Sequence, residues 1–450
     1  MSATVSSLDA AETVDQKNGR RRVRSPIVPA RAVDHERIYF FLNSVFPGFT
    51  VAAFKASLED PFYEPRDCLL LKRANRTVAH VHLTHRVMQF GPVQIPLAGL
   101  KWLATADDCR GQGLGSHLLV AAEKQAAQDG ALVGLLRTNI PHFFRRTGWA
   151  LCGQPCCSLA NTHTVLARLL DEGLRRHRHH ARLHIRPWRR WEEAALLRIY
   201  RQNLSGRYGP LDRTPAYWQW LLRRQAYDRI YVALDGPDLW DLDETSTSIV
   251  GYAVLKGERV VELLTAPRRH KAAIELLAHA CGDAIEHDHH SIVLHAPPDN
   301  PLHAAFAPCH EAGGGMSGGG AVSKAESACH YMARLLDPMQ LLRRLCGEFG
   351  RRAEAARLPR PLELGLQVEG QKYQLELGVR GVEVVSQRMG RSYLRLNVAD
   401  FTRLVLGQLD WDRAVAEKRL EASTSLAQQA GRALFPRLPL WYPPLDELVE

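Results

Sequence analysis

The stretch from Leu97 to Ala150 constrains this chain of 450 residues more than any other. An apolar run, LKWLATA (Leu100–Ala106), passes into the loop DDCRGQGLGS. The loop opens into Gly115–Asp129, where Leu118, Leu119, Ala122 and Ala126 share one helical face. A strand that turns through a glycine loop into a helix belongs to a mixed α/β layer. Glycines let backbone amides approach a ligand closely, and a helix start adds unpaired N–H groups and the positive end of a dipole. Together these suit a diphosphate, and Arg110 can add a charge-assisted contact. Arg110-Gly111-Gln112-Gly113-Leu114-Gly115 is not GxGxxG and no acidic ribose ligand follows it at the right distance. It also lacks the Lys-Ser/Thr end of a phosphate-binding loop.

Length suggests two to four domains. Residues 1–33 are polar and end in a basic cluster, and read as a disordered tail. A mixed α/β unit follows, with a helix at Arg37–Ser44 and strands at Leu69–Lys72, Thr77–Thr84, Val87–Phe90, Gly99–Thr105 and Leu132–Leu136, and a short helix at Pro141–Arg146. Domain boundaries are expected at 34–180, 181–340 and 341–450. In the second unit, helices are expected at Trp191–Leu204, Thr214–Gln225 and Lys271–His287. In the third, strands at Leu362–Val368, Gln371–Leu377, Gly381–Val385 and Tyr393–Asn397 precede helical stretches at Ala399–Leu406 and Trp411–Ala433. Gly313–Gly320 reads as a surface loop.

Lys+Arg is 58 against Asp+Glu 48, a formal +10. That balance allows a nucleic-acid partner, yet no helix-turn-helix or stacking motif supports one. Attraction for a small anionic ligand is the better reading. No apolar run reaches the ~18–20 residues of a membrane span, and no signal-peptide core opens the sequence; a soluble cytoplasmic protein is expected. Nine cysteines without a CxxC pair imply free thiols and no metal. His177, His179 and His180 alternate with arginines that would repel a cation.

About thirty residues after the glycine loop comes HFFRRTGW (His142–Trp149). Loop and helix together resemble the GNAT acyl-CoA N-acetyltransferases over about Glu36–Leu170. Their (Q/R)-x-x-G-x-(G/A) pattern stands here as Arg110-x-x-Gly113-x-Gly115. The resemblance implies acetyl-CoA as cosubstrate, with the diphosphate on Arg110, Gly111, Gln112, Gly113, Leu114, Gly115 and Ser116. It also implies pantetheine along Leu103, Ala104 and Thr105. The layout of the whole chain resembles the Eis (enhanced intracellular survival) family, through LAGLKWLATADDCRGQG, YGPLDRTPAYWQWLL (Tyr208–Leu222) and LRLNVADFTRLVLG (Leu394–Gly407). That likeness implies tandem GNAT-like mixed-sheet domains plus a sterol-carrier-protein-like α+β domain, and a homo-oligomer, a hexamer. LTAPRRHKAA (Leu264–Ala273) replaces the glycine loop in the second unit, which should not bind CoA.

The implied reaction is attack of a primary amine, on a small molecule or a lysine, on a thioester. It needs a base for the amine and an acid for the thiolate. The family's acid is a Tyr, but the matching position is Phe144, so His142 or water must serve. A non-catalytic acyl-CoA- or lipid-binding protein is the alternative. The resemblance implies the C-terminal carboxylate as base; the tail ends in Glu450 and not in the aromatic residue of that pattern, which leaves Asp446, Glu447 and the terminal carboxylate of Glu450 as candidates. His82 shares a strand face with His80 and, with His85, could line an acceptor pocket beside Arg137 and Phe144, although a structural role for each histidine is the simpler reading. Trp102 reads as core.

Overall fold

In the computed structural model, residues 26–74, 76–153, 156–176, 183–236, 248–307 and 330–447 are described. The first unit runs β1 (Ile27–Pro29), α1 (His35–Val45), α2 (Val51–Leu58), β2 (Cys68–Arg73), β3 (Arg76–Phe90), β4 (Val93–Thr105), α3 (Leu114–Gln128), β5 (Val133–Thr138), α4 (Pro141–Arg145) and β6 (Ala150–Leu151). β3 and β4 form one long hairpin around Gly91, whose φ of +61° suits the turn. The alternation of strand side chains loads both faces of the sheet. Val81, Leu83, Ala98 and Leu100 pack on Leu118, Leu119 and Ala122 of α3. Leu70 and Ala104 pack on Ile38, Leu42 and Phe54 of α1 and α2. Thr50 caps α2, its hydroxyl accepting from the Ala53 amide at 3.0 Å.

The second unit runs β7 (Cys157–Asn161), α5 (Thr162–Arg176), β8 (His184–Pro187), α6 (Glu193–Gln202), β9 (Tyr208–Leu211), α7 (Pro215–Arg223), β10 (Arg229–Leu234), β11 (Ile249–Lys256), β12 (Arg259–Thr265), α8 (His270–Glu286) and β13 (Ser291–His295). Its sheet has the order β7-β13-β12-β11-β10-β8. The chain then returns as β14 (His330–Leu335), which enters the first sheet, giving β1-β2-β3-β4-β5-β14-β6, with β9 added against β3. The third unit runs α9 (Pro338–Arg344), α10 (Cys346–Ala355), β15 (Leu362–Val368), β16 (Gln371–Leu377), β17 (Val382–Ser386), β18 (Tyr393–Leu396), α11 (Val398–Val405), α12 (Trp411–Ala416), β19 (Leu420–Ala422) and α13 (Ser425–Leu434). Its core is continuous with the Leu97, Val133 and Tyr331 face of the first sheet. The mixed α/β class is as expected.

Several expectations are corrected. Ile27–Pro29, read as tail, is a strand paired with Leu69–Leu71. Cys157–Asn161, read as part of the first unit, pairs with β13 in the second sheet. Trp411–Ala433 is not one helical stretch: Lys418 takes a φ of +56° and a short strand divides it. Gly313–Gly320, the His177–His180 run and residues 1–25 lie outside the described residues. Among the described residues no helix is long and apolar enough to cross a membrane, and no group of three or more His, Cys, Asp or Glu is placed to hold a metal.

Candidate functional site

β4 and β5 pair in parallel only from Leu97–Val133 to Leu100–Leu136. Beyond Leu100, β4 keeps its ladder to β3 while β5 continues to Thr138, so the two strands part. A bulge accompanies the parting. His82 pairs with Lys101 and His80 with Ala104, which leaves two residues, Trp102 and Leu103, opposite Val81. An extra residue bends and twists its strand. Trp102 absorbs the distortion with a φ of +51°, a strained value for a bulky residue. Its ring is fixed by Phe49 at 5.0 Å, His82 at 5.4 Å and Phe54 at 6.4 Å. Its carbonyl accepts from His80 Nδ1 at 3.0 Å.

The glycine loop lies at the end of the freed segment. Gly111 and Gly113 have φ of +73° and +77°, and a Cβ on either would meet nothing within 4 Å. Gly113 caps α3 without a side chain, so the first-turn amides of Leu114, Gly115 and Ser116 have neither an intrahelical acceptor nor a side-chain cap. Gly115 is close-packed: a Cβ there would lie 3.3 Å from Thr105 Oγ1 and 3.6 Å from the tip of Phe143. The loop's two acids are partnered. Arg76 donates twice to Asp108, at 2.6 and 3.1 Å, and holds that carboxyl below its usual range; Arg110 pairs with Asp107 at 2.6 Å. Gln112 Oε1 accepts from Arg73 at 2.7 Å. Leu103, Ala104 and Thr105 all lie on the freed part of β4, next to this loop.

Other expected residues are placed as follows. His142 is exposed in the first turn of α4. Phe144 is buried, its ring 4.9 Å from Phe143 and 6.2 Å from Trp149, so Phe143 is the ring that reaches the glycine loop. Arg137 is exposed on the part of β5 past the split. His82 is 3 % exposed, edge-on to Tyr63 at 5.4 Å and tilted against Trp102. Burial pushes His80 down to about 4 and His82 well below the usual imidazole range. Glu450 lies outside the described residues. Sequence reasoning missed the wall opposite His82. There Tyr63 meets His35 Nε2 at 2.8 Å, and Phe49 and Phe54 flank Trp102. α2 carries too few periodic apolar residues to announce itself, and a bulge has no local signature.

At the GPL-x-R segment, Gly209–Arg213, and the Tyr208 before it, the chain meets Leu440, Trp441 and Asp446. The Trp441 amide donates to the Tyr208 carbonyl at 3.0 Å, and a Cβ on Gly209 would collide with the Trp441 carbonyl. Arg213 is fully buried over the Tyr200 ring, 3.9 Å from its centre. It donates to both oxygens of Glu262 (2.9 and 2.8 Å) and both of Asp446 (3.1 and 2.8 Å). Nearby, buried Arg86 pairs with Asp60 and lies 4.4 Å from the centre of Tyr217. The second sheet repeats the parting: β12 and β13 pair only through Arg259–Val293 and Val260–Leu294. A cavity of about 140 Å³, lined by Glu262, Thr265, His270, Asn300 and Trp441, lies in that gap.

Residues 27–152 match the family model of the acetyltransferase (GNAT) domain. Among solved structures, the chain is similar to a GCN5-related N-acetyltransferase from Kribbella flavida, at 17% identity and a TM-score of 0.66, over 93% of this chain and 98% of that one. A GCN5-related N-acetyltransferase from Anabaena variabilis ATCC 29413 gives 15% identity and a TM-score of 0.68, over 93% and 98%. Eis1 from Mycobacterium abscessus gives 16% and 0.61, over 93% and 99%. At such identities these likenesses speak for the fold. No curated protein matches the sequence.

Proposed function

We propose that the protein is an acetyl-CoA-dependent N-acetyltransferase acting on a primary amine of a small molecule or a lysine. The observation that carries this is the parting of β4 from β5 directly above open, left-handed Gly111 and Gly113. The freed backbone of Leu103–Thr105 suits the amide-bearing pantetheine arm. The first-turn amides of α3, with Arg110, suit the diphosphate. Partnering of Asp107 and Asp108 by arginines removes the negative charge that would oppose it. The match of residues 27–152 to the GNAT domain supports the same reading.

Transfer joins the amine nitrogen to the acyl carbon, breaks the carbon–sulfur bond and carries one proton from nitrogen to sulfur. Backbone amides at the split can polarise the thioester carbonyl. Phe144 supplies no proton, so His142 or water is assigned to the thiolate. Glu450 is the base that the family likeness suggests. Asp446, bonded twice to Arg213, is read instead as the anchor of its segment. The third unit, in this reading, is the sterol-carrier-like domain that helps shape the acceptor pocket and a homo-oligomer, and the second unit does not bind CoA. The absence of a phenol at position 144 favours a second reading, a non-catalytic acyl-CoA binder. Thiol release from acetyl-CoA, measured across polyamines, aminoglycosides and lysine peptides, separates the two. Release with one acceptor class supports transfer; cofactor binding with no release for any of them supports the binder.

A further inference from the structure

Two buried histidines on β3 have polar atoms without a hydrogen-bond partner among the described residues. His80 is 0 % exposed and His82 3 %. His80 Nδ1 bonds the Trp102 carbonyl, and a carbonyl only accepts, so Nδ1 carries the proton and Nε2 holds a free lone pair. That Nε2 has no hydrogen-bond partner, and neither does His82 Nδ1. Buried polar atoms are almost always paired, and two such atoms on one strand face need an account. Their location supplies one. They lie on the strand that backs the freed segment of β4, on either side of the bulge at Trp102 and Leu103.

We propose that His80 and His82 form the proton-transfer pair of the acyl-transfer site, accepting the proton of the attacking amine and returning it to the departing sulfur. The proposal rests on the acetyltransferase reading above and deepens it, giving to this pair the two proton steps that the reading left to Glu450 and to His142 or water. As the nitrogen–carbon bond forms, the amine nitrogen becomes acidic and gives its proton to an imidazole lone pair. As the carbon–sulfur bond breaks, the electron pair stays on sulfur, which takes that proton. Nothing is left on the enzyme, and no phenol at position 144 is needed. The surroundings favour a short-lived imidazolium. At His82, burial first and then His80, Lys101 on β4, and Arg86 and His85 on β3 oppose a positive charge; at His80 burial opposes it and the bond to the Trp102 carbonyl favours it. The remaining neighbours are weak or committed. Tyr63 is tied to His35, Cys68 is a buried thiol pushed up to about 12, and Asp67 pairs with His85.

The test uses two substitutions that each delete only the unpartnered nitrogen. His80→Asn keeps a donor where Nδ1 stands; His82→Gln keeps a polar atom where Nε2 stands. Acetyl-CoA affinity is measured by calorimetry. Single-turnover thiol release is followed from about pH 7 to pH 9 with a weakly basic primary amine that is unprotonated throughout. The expected result is unchanged acetyl-CoA affinity, a loss of about 100-fold or more in rate for each variant, and a double variant little worse than either. The wild-type rate is flat with pH, whereas the variants gain about tenfold per unit because hydroxide must now take the proton. Variants within a few-fold of wild type overturn the proposal. So does a large loss with a flat profile, which marks a structural role. Absence of release by the wild-type protein with every amine instead overturns the transfer reading beneath it.

Discussion

Gly113 offers the sharpest test of the proposed diphosphate site, because a Cβ there would meet nothing. It sits at φ +77° and a Cβ there would touch nothing within 4 Å, so a substitution acts through backbone preference and charge rather than through crowding. Alanine at a left-handed position costs about 1–2 kcal/mol. If the unliganded loop escapes by changing conformation, binding must restore the bound shape, and affinity for acetyl-CoA falls about 5- to 30-fold. Aspartate tolerates the left-handed region, so Gly113→Asp isolates charge. A carboxylate ~5 Å from a diphosphate charge, at an effective dielectric of ~20–30, repels it by about 2–3 kcal/mol, or about 30- to 200-fold in Kd. The assay is calorimetric titration with acetyl-CoA and with acetyl-pantetheine, which lacks the diphosphate. The aspartate penalty should vanish for acetyl-pantetheine and shrink to a few-fold at about 1 M salt, where the screening length is ~3 Å. The alanine penalty should survive salt. An unchanged Kd for Gly113→Asp at low salt would falsify the diphosphate assignment.

Three further outcomes follow from the geometry. Arg213→Met leaves the buried carboxylates of Glu262 and Asp446 without their cation and should cost about 3–5 kcal/mol; thermal melts should show the loss and limited proteolysis should cut near residue 446, and a wild-type melting curve would contradict it. Gly209→Ala, at φ +111° against the Trp441 backbone, should release residues 438–446 in the same proteolysis assay while leaving acetyl-CoA affinity intact; continued protection there would show that the contact is dispensable. His80 is held neutral down to about 4, below its ordinary 6.5, so between those values the unfolded chain binds a proton the folded chain refuses. Its contribution is therefore full above the unfolded value and is lost as pH falls toward the folded one, by about 1.4 kcal/mol per pH unit. Urea midpoints followed across that window should drop with acidity, and His80→Asn should flatten the slope.

Local rules carried the reading of the first unit a long way. The strand, loop and helix from Leu100 to Gln128 are each specified by neighbouring residues: apolar alternation, glycines where φ is positive, a helical apolar face. The β15–β16 hairpin was legible for the same reason, with Glu369 and Gly370 at its turn. What escaped depends on partners distant in sequence. HYMARL (His330–Leu335) is an unremarkable strand whose place between β5 and β6 is decided by Leu135 and Ala150. The bulge at Trp102 is a shift of register between two distant strands, with His82 against Lys101 on one side of it and His80 against Ala104 on the other. The pairing of Arg213 with Asp446 spans half the chain. His82 was visible as a candidate through strand alternation, but the unsatisfied nitrogens appear only once Tyr63 and Trp102 close around it.

The late insertion of β14 has a consequence for how the polypeptide is made. A ribosome adding roughly 5–20 residues per second needs on the order of 10–40 s to travel from β6 to β14. Throughout that interval the nascent first sheet ends at β5, because β6 joins it only through β14, and the β5 edge is bare and ready to pair with any passing strand. A polypeptide cut near residue 152, where the domain match ends, would keep that vulnerable edge permanently. The first unit therefore depends on a segment synthesised long after it to cover that edge.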